Sequence, residues 1–588
     1  MSTDTLTGPA KARRAHTAPP EARETRKHRR IGRSKTKRNW RARVSEAVFA
    51  SPPYQWLLDA GPSRAIRGTP TDPIGGDPEA ANAMFQGRFA AGGHTVQAFN
   101  RPPWDAAVAA PAVAAELHGF EWLRDFHAAD GPAARKHGRD LLQTWWNRFG
   151  RWDAIAWRPD VTARRLSAWI THADFLLTGA DEAFTTSFRG QIARHTRHVF
   201  RAARFAPAGD ARIAAAAGLA VAGLYFRGGR RWIRRGTDLL GHELESQILA
   251  DGNHVSRNPA ALYRCLRALT LLRAHLITAQ ADVPAAVQHA IDRMAPMLRF
   301  LCHGDGGLAL FQGAAKEDVR TIKAVLALSA TQAKPPASAP YGGFERLAAE
   351  RTLVIIDSAG TGPPPPFDRD ARAASLSFEM SVAKQRLVVN CGAYSGHDEA
   401  WRNASGATAA HSTLVIGDRN GEAASAGGRV DGGVLHGEEE GGHWLEARSE
   451  SYSGAFGLLH HRRFHLANDG LELIGEDRLS RMPQTEAKMR GRKPTNPADV
   501  PFTLRFHLHP AIQASLVAGG AEILMRLPGG VGWTFDTDAG ALSLDESIYL
   551  GRPGETRRTE QIVVHGHTRG LNAAVTWRFA RLASGGVY

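Results

Sequence analysis

A polar loop between two apolar runs holds one concentration of reactive side chains. Residues 386–391 and 413–416 are apolar runs short enough to be buried strands. Between them lie Tyr394, His397, Asp398, Glu399, Trp401, Arg402, Asn403 and His411. Histidine titrates near neutral pH and can take or give a proton. Arginine pairs oxyanions through a planar fork, and tryptophan offers a flat stacking face. Loops fixed by rigid strands are where chemistry tends to sit. On residue types alone, a solvated loop closed by a capped strand is an equal reading.

A second concentration lies upstream. DGNHVSRNP (251–259) separates two helical patterns. His254 is its titratable group in the neutral range. Asn258 before Pro259 is a good helix N-cap. His507 and His509 fall on the polar face of an alternating run, where a surface or hydrogen-bonded histidine is the ordinary outcome.

The elements that must position these groups differ between the two halves. From about 112 to 328 the apolar residues recur at helical spacing, as in Leu117, Phe120, Leu123 and Phe126. Trp145, Trp146, Trp169, Phe175 and Phe200 are large core candidates. Glycine and proline punctuate the joins. HGDGGLALFQG (303–313) is too glycine-rich for a helix and is expected to turn the chain over one end of the helical array. Prolines and glycines at 335–343 and 363–366 mark a linker. After it the period becomes two. Leu376, Phe378, Met380 and Val382 alternate with Ser377, Glu379 and Ser381, which predicts a strand with one buried face. Phe502, Leu504, Phe506 and Leu508 repeat the pattern. Asn468, Asp469 and Gly470 signal a hairpin. Many helices followed by many strands predict two packed domains, divided near 335–350, the second an antiparallel β-sandwich.

Composition narrows the class. The 588 residues carry 43% hydrophobic residues, ordinary for a globular chain, and no run approaches a membrane span. The first twenty residues have no apolar core of the kind a secretory signal needs. Three scattered cysteines, Cys265, Cys302 and Cys391, suit burial or a reduced compartment, not a disulfide framework. The formal charge is +16, and much of the excess sits in residues 11–43. That tract is expected to be disordered, and it could contact a membrane surface or an acidic polymer electrostatically. No basic helix with base-reading context accompanies it, so specific nucleic-acid binding is not expected.

The ordered set SLSFEM, RLVVNCGAYS, TAAHSTLVI, GEDRL and RFHLHP resembles the C-terminal domain of the heparinase II/III family. The resemblance spans most of the chain after about residue 40. After the basic tail at 1–43 that composition marks, it implies an incomplete α/α toroid at 44–340 and a C-terminal β-sandwich at 341–588. It also implies a lyase that cleaves an acidic, uronate-bearing polysaccharide by β-elimination in a bacterial cell envelope or periplasm; in this chain no cofactor is expected. The missing signal leaves the cytoplasm as the alternative.

Elimination needs a group to neutralise the uronate carboxylate, a base for the adjacent proton and an acid for the leaving oxygen. On the family's pattern His254 is the expected base and His411 a further catalytic candidate, while Arg212 is expected to replace an absent Asn as the carboxylate partner, since a guanidinium pairs a carboxylate in a fork. Arg402, Trp401, Arg372 and Asn390 are the expected substrate contacts. The chain departs from the family pattern at several places. Ala261 and Leu262 stand where a Tyr-His pair is usual, and Arg212 stands near a usual Asn. Arg372 and Ala374 replace a His-x-His, and Asn390 replaces an Asp. A cation and an amide are poor zinc ligands, so no metal is expected. Arg372, Asn390 and His411 are expected instead to form a hydrogen-bonded cluster. The toroid and sandwich residues are expected to meet in one groove. The changed positions favour an alternative, a catalytically silent acidic-glycan-binding protein acting in envelope polysaccharide production or export.

Overall fold

The computed structural model describes residues 40–582, apart from 61–65, 69, 107–110, 360–361, 397, 422–433, 440, 484, 486–498, 553 and 571. Most of the basic tract and His397 lie outside these. The chain divides into residues 1–45 and 46–588, and the second unit carries both the helical region and the sheets.

Helices from Pro78–Phe85 to Val319–Leu328 form a curved array of packed pairs, an incomplete α/α toroid. The helix Asp210–Leu224 packs on Pro159–Thr171, Arg230–Gln247 and Pro259–Thr278. Its sequence, DARIAAAAGLAVAGL, explains this. Ala215, Ala216, Ala217, Gly218 and the residues to Gly223 are all buried, and small side chains let several neighbours approach at once. A Cβ at Gly218 would meet the Ala163 backbone at 2.8 Å. Trp145, Trp157 and Trp169 fill the wider spaces between helices and are fully buried.

The strands form two antiparallel sheets packed as a sandwich. One runs in the order Gln513–Val517, Glu522–Arg526, Gly532–Thr537, Ala573–Arg581, Glu472–Arg481, Leu458–Ala467, Gly442–Ser449 and Leu435–Glu439. The other runs Ala541–Tyr549, Arg557–His567, Pro501–Leu508, Gln385–Val389, Phe378–Val382, Thr352–Asp357, Phe344–Ala349 and Ser338–Ala339, with Leu414–Ile416 also paired to Pro501–Leu508. Phe378, Phe464, Phe506, Phe535, Trp577 and Phe579 meet between the sheets. The hairpin at Asn468–Asp469–Gly470 forms as expected: Leu466 opposes Leu473, and Gly470 takes a φ of 65°.

The strand Phe378–Val382 departs from its sequence pattern. Its first four residues are all buried, not every second one. Phe378 and Met380 face the sandwich core. Glu379 and Ser381 face the helical region, where His303 donates to Glu379 Oε2 at 2.9 Å and meets Ser381 Oγ at 2.9 Å. Glu379 Oε1 also accepts from Leu310 N at 3.2 Å and Asn390 N at 3.0 Å. The glycine-rich segment carrying His303 and Leu310 is non-helical, as expected, and serves as the peg that enters the sheet. Beside it Arg386 forks onto Asp305 at 2.9 and 3.1 Å.

Candidate functional site

On the helical side, the turn after Arg230–Gln247 is held from both ends. Asp251 accepts Asn253 N through one oxygen and the Tyr341 and Gly342 amides, at 2.9 and 2.7 Å, through the other. Gly252 takes a φ of 88°, and a Cβ there would run into the Arg293 carbonyl. Asn258 caps the helix Pro259–Thr278, accepting from Ala260 N and Ala261 N.

His254 sits inside this turn, 1% exposed. Its Nε2 meets Gln247 Oε1 at 2.9 Å. The Gln247 amide nitrogen donates to Glu243 Oε2 at 2.5 Å, and Arg212 Nη1 donates to Glu243 Oε1 at 3.2 Å. With the Gln247 oxygen thus facing the ring, Nε2 must carry the hydrogen. Nδ1 accepts from Ser256 N at 3.1 Å and Ser256 Oγ at 2.7 Å. Burial lowers the His254 pKa to about 4, against the opposing pull of Asp210. The ring is neutral at pH 7, with both nitrogens engaged. Arg212 and His254 are brought together, as the two ends of one relay. Near them, Arg264 pairs Asp210 at 2.5 Å and Glu317 at 3.0 Å.

A second relay crosses to the sandwich. Arg257, three residues after His254, pairs Asp357. Asp357 Oδ2 accepts from Gln312 Nε2 at 2.8 Å, and Gln312 Oε1 accepts from Arg372 N at 3.0 Å. These four residues line one small depression together with Ser375 and Tyr452.

On the sandwich side, the expected hydrogen-bonded cluster of Arg372, Asn390 and His411 does not form. Asn390 is fully buried; its Nδ2 donates to Glu379 Oε1 at 3.3 Å and its Oδ1 accepts from Ser412 N at 3.0 Å. Glu379 takes the amide, so Asn390 presents nothing to a ligand. The Arg372 guanidinium donates to its neighbouring Ala371 carbonyl at 3.3 Å, and its buried Nε has no hydrogen-bond partner among the described residues. Burial, and the nearby charge of Arg402, lower its pKa in spite of Asp370. Arg402 is exposed, on the short helix Glu399–Ser405, and donates to Gly396 O at 3.1 Å. Among the described residues neither arginine has a carboxylate partner. Trp401 stacks on Tyr394 with ring centres 5.8 Å apart.

His411 is held differently from His254. Its Nδ1 donates to Ala407 O at 2.8 Å, and its Nε2 has no hydrogen-bond partner among the described residues. Burial lowers its pKa to about 4, and the charge of Arg372 adds to the fall. The ring therefore offers a lone pair at Nε2 beside a guanidinium. His507 is buried and hydrogen-bonded to Ser547 Oγ and Ala409 O, the ordinary outcome for such a residue.

The residues do not fit zinc. Arg372 is a cation, Asn390 is already engaged, and the described residues hold no group of three or more His, Cys, Asp or Glu side chains suited to a metal. Sequence reasoning passed over Glu379, His303, Gln312 and Asp357. Their signals were faint: a carboxylate on an alternating strand and polar residues in a glycine-rich turn.

Comparison with known proteins gives a consistent result. The heparinase II/III N-terminal profile matches residues 146–326, and the heparinase II/III-like C-terminal profile matches residues 331–578. The FtsZ-localized protein C of Caulobacter vibrioides is 29% identical over 565 residues, which cover 92% of this chain and 96% of that one. The crystal structure of heparinase III aligns with a TM-score of 0.67 at 13% identity over 92% of each chain. The heparan sulfate lyase HepC from Pedobacter heparinus aligns with a TM-score of 0.54 at 16% identity, covering 93% of this chain and 89% of its own. At such identities the likeness to the two solved structures is one of fold.

Proposed function

The chain belongs to the heparinase II/III-like family, and from that membership we propose that it binds an acidic, carboxylate-bearing glycan between its toroid and its sandwich. We further propose that it does so in the company of FtsZ, as the name of its colinear Caulobacter relative suggests. The observation that carries the binding reading is the pair Arg372 and Arg402. Both lack a carboxylate partner among the described residues, and they lie close enough for one charge to shift the other. A uronate carboxylate would supply the missing anion through a forked pair of hydrogen bonds. Trp401 and Tyr394 offer a stacked aromatic surface for the sugar face.

Binding without cleavage is favoured because His254 has no open ring nitrogen. To act as base it would have to leave Ser256 or Gln247. A second reading, β-elimination, is favoured by one observation, the open Nε2 of His411. In that reading His411 Nε2 takes the proton beside the carboxylate, the C–O bond breaks, and the protonated ring returns the proton to the departing oxygen; Arg372 neutralises the carboxylate, while Arg212 and His254 only position the wall of the cleft. For the basic tract we propose electrostatic contact with anionic lipid. No described helix is long and apolar enough to cross a membrane. Co-localisation with FtsZ would put the chain on the FtsZ side of the membrane and set aside a periplasmic site.

The test is a panel of acidic polysaccharides, read for binding by calorimetry and for unsaturated uronate by ultraviolet absorbance. Arg372→Ala and Arg402→Ala should each weaken binding roughly tenfold, the effect of about 1.4 kcal/mol from a charge-assisted hydrogen bond. Absorbance should stay flat. A rise that His411→Ala removes and His254→Ala spares would establish the second reading. Absence of binding to every acidic polymer would end both. A fluorescent fusion that fails to follow labelled FtsZ would separate this chain from its relative in function.

A further inference from the structure

The helix Arg230–Gln247 carries Glu243 and Gln247 at its cleft end and an unbalanced charge at the other. Arg227, Arg230, Arg231, Arg234 and Arg235 are all exposed there. Among the described residues, the guanidiniums of Arg230, Arg231, Arg234 and Arg235 have no carboxylate partner and no hydrogen bond. The first turn holds no acidic residue, and Asp238, the first acid along the helix, pairs with none of them. This arrangement opposes three physical preferences. Cations at a helix N-terminus meet the positive end of the macrodipole. Arg230 with Arg234, and Arg231 with Arg235, are like charges one turn apart. Exposed faces otherwise tend to mix signs.

Two of these side chains rest on an aromatic ring. Arg231 and Arg235 both lie over the ring of Phe200, at 5.5 and 4.8 Å from its centre. Stacking uses the face of a guanidinium and leaves its N–H edge pointing outward. The apolar residues between the arginines do not reach the surface: Trp232 is buried and Ile233 half-buried. Nothing in this face would insert into a bilayer. Arginines one turn apart repeat at about 6 Å along the axis. Alternate side chains of an extended peptide repeat at about 6.6 Å.

We propose that this arginine face docks an extended acidic peptide of a partner protein, with alternate Asp or Glu carboxylates forked by Arg230, Arg231, Arg234 and Arg235. The proposal is independent of the glycan reading of the cleft. The probe is a fluorescein-labelled twelve-residue peptide of alternating glutamate and serine, titrated with the full chain and followed by anisotropy. The quadruple variant R230Q/R231Q/R234Q/R235Q should lose at least tenfold in affinity. A variant neutralised in the basic tract, R13Q/R14Q/R29Q/R30Q, should lose less than threefold. The pair R231K/R235K keeps the charge but not the fork, and should lose severalfold. Peptide binding should slow amide exchange across residues 227–238. Equal losses in the first two variants would reduce the effect to bulk charge and overturn the proposal. So would a quadruple variant that keeps its peptide affinity while losing affinity for phosphatidylglycerol vesicles or for a DNA duplex.

Discussion

Asp477→Ala should cost the sandwich a large share of its stability. Asp477 is 2% exposed and holds four hydrogen bonds. His460 Nε2 meets one carboxylate oxygen at 2.6 Å, Arg462 forks onto both at 2.7 and 3.0 Å, and Trp577 Nε1 donates at 2.7 Å. Burial would raise its pKa, but Arg462 and His460 hold it down at about 2. Arg462 has no access to solvent and lies among Phe378, Phe464 and Trp577. Removing the carboxylate leaves Arg462 Nε and Nη2, the His460 ring and the Trp577 N–H without their acceptor inside the core, and a buried cation held only through Nη1 by the Leu376 and Ser412 carbonyls. Breaking a buried pair in this way costs about 3–5 kcal/mol, against a total stability of about 5–15 kcal/mol for a typical domain. Asp536→Ala is the control. Its pairing with Arg578 at 2.9 Å is solvent-exposed and should be worth less than about 1 kcal/mol. The measurement is the urea midpoint by tryptophan fluorescence. An Asp477→Ala midpoint matching that of Asp536→Ala would contradict the account.

Acidification should unfold the chain well above pH 4. Burial is the leading cause that lowers the pKa of His118, His254, His275 and His411 to about 4, and of His172, His198 and His507 to about 3. In the unfolded chain each would titrate near 6.5. Between those values the unfolded state binds more protons, so stability rises with pH. The contribution is fully present above pH 6.5 and drains as the pH falls towards the folded values. One unit below 6.5, each imidazole removes up to about 1.4 kcal/mol, and several together rival a domain's whole stability. The depressed carboxylates act lower. Asp305 and Asp477, both held at about 2, withdraw stability only below about pH 4. Near-ultraviolet dichroism should therefore collapse between pH 5 and 6. A signal steady down to pH 4 would mean that these rings do not enter the fold uncharged.

The fold was legible in the sequence because each half repeats one period. The alternation at 502–508 declares a strand with no need of distant partners. The helical spacing of Leu117, Phe120, Leu123 and Phe126 holds only in part: the chain breaks between the helices Pro111–Leu117 and Leu123–Ala129, where Phe120 takes a φ of 58°. Glu379 shows where that reasoning stops. On an alternating strand a glutamate looks like a solvent-facing residue. Its burial depends on His303, which lies 76 residues away in sequence and is invisible to local periodicity. The hydrogen bonds of the candidate site were hidden in the same manner. Residue type singled out His254, but only the placement of Gln247 and Ser256 shows that its nitrogens are engaged. Asn390 looked like a ligand contact because it stands where the family has an Asp; its amide is taken up by Glu379. His411 could be chosen by motif, while the state of its Nε2 could not.

The peg-in-sheet contact between His303 and Glu379 bears on how this protein can be handled and how it can vary. A chain cut within 329–337 would separate each buried ion from its partner. The sandwich fragment would carry Glu379 and Arg386 on a newly wetted sheet face, and the helical fragment a loose His303 and Asp305. Neither half is a module that can be borrowed. Fusions should be placed at the ends of the chain, and a swap of sandwiches between relatives should succeed only if the glycine-rich turn travels with the sheet it enters.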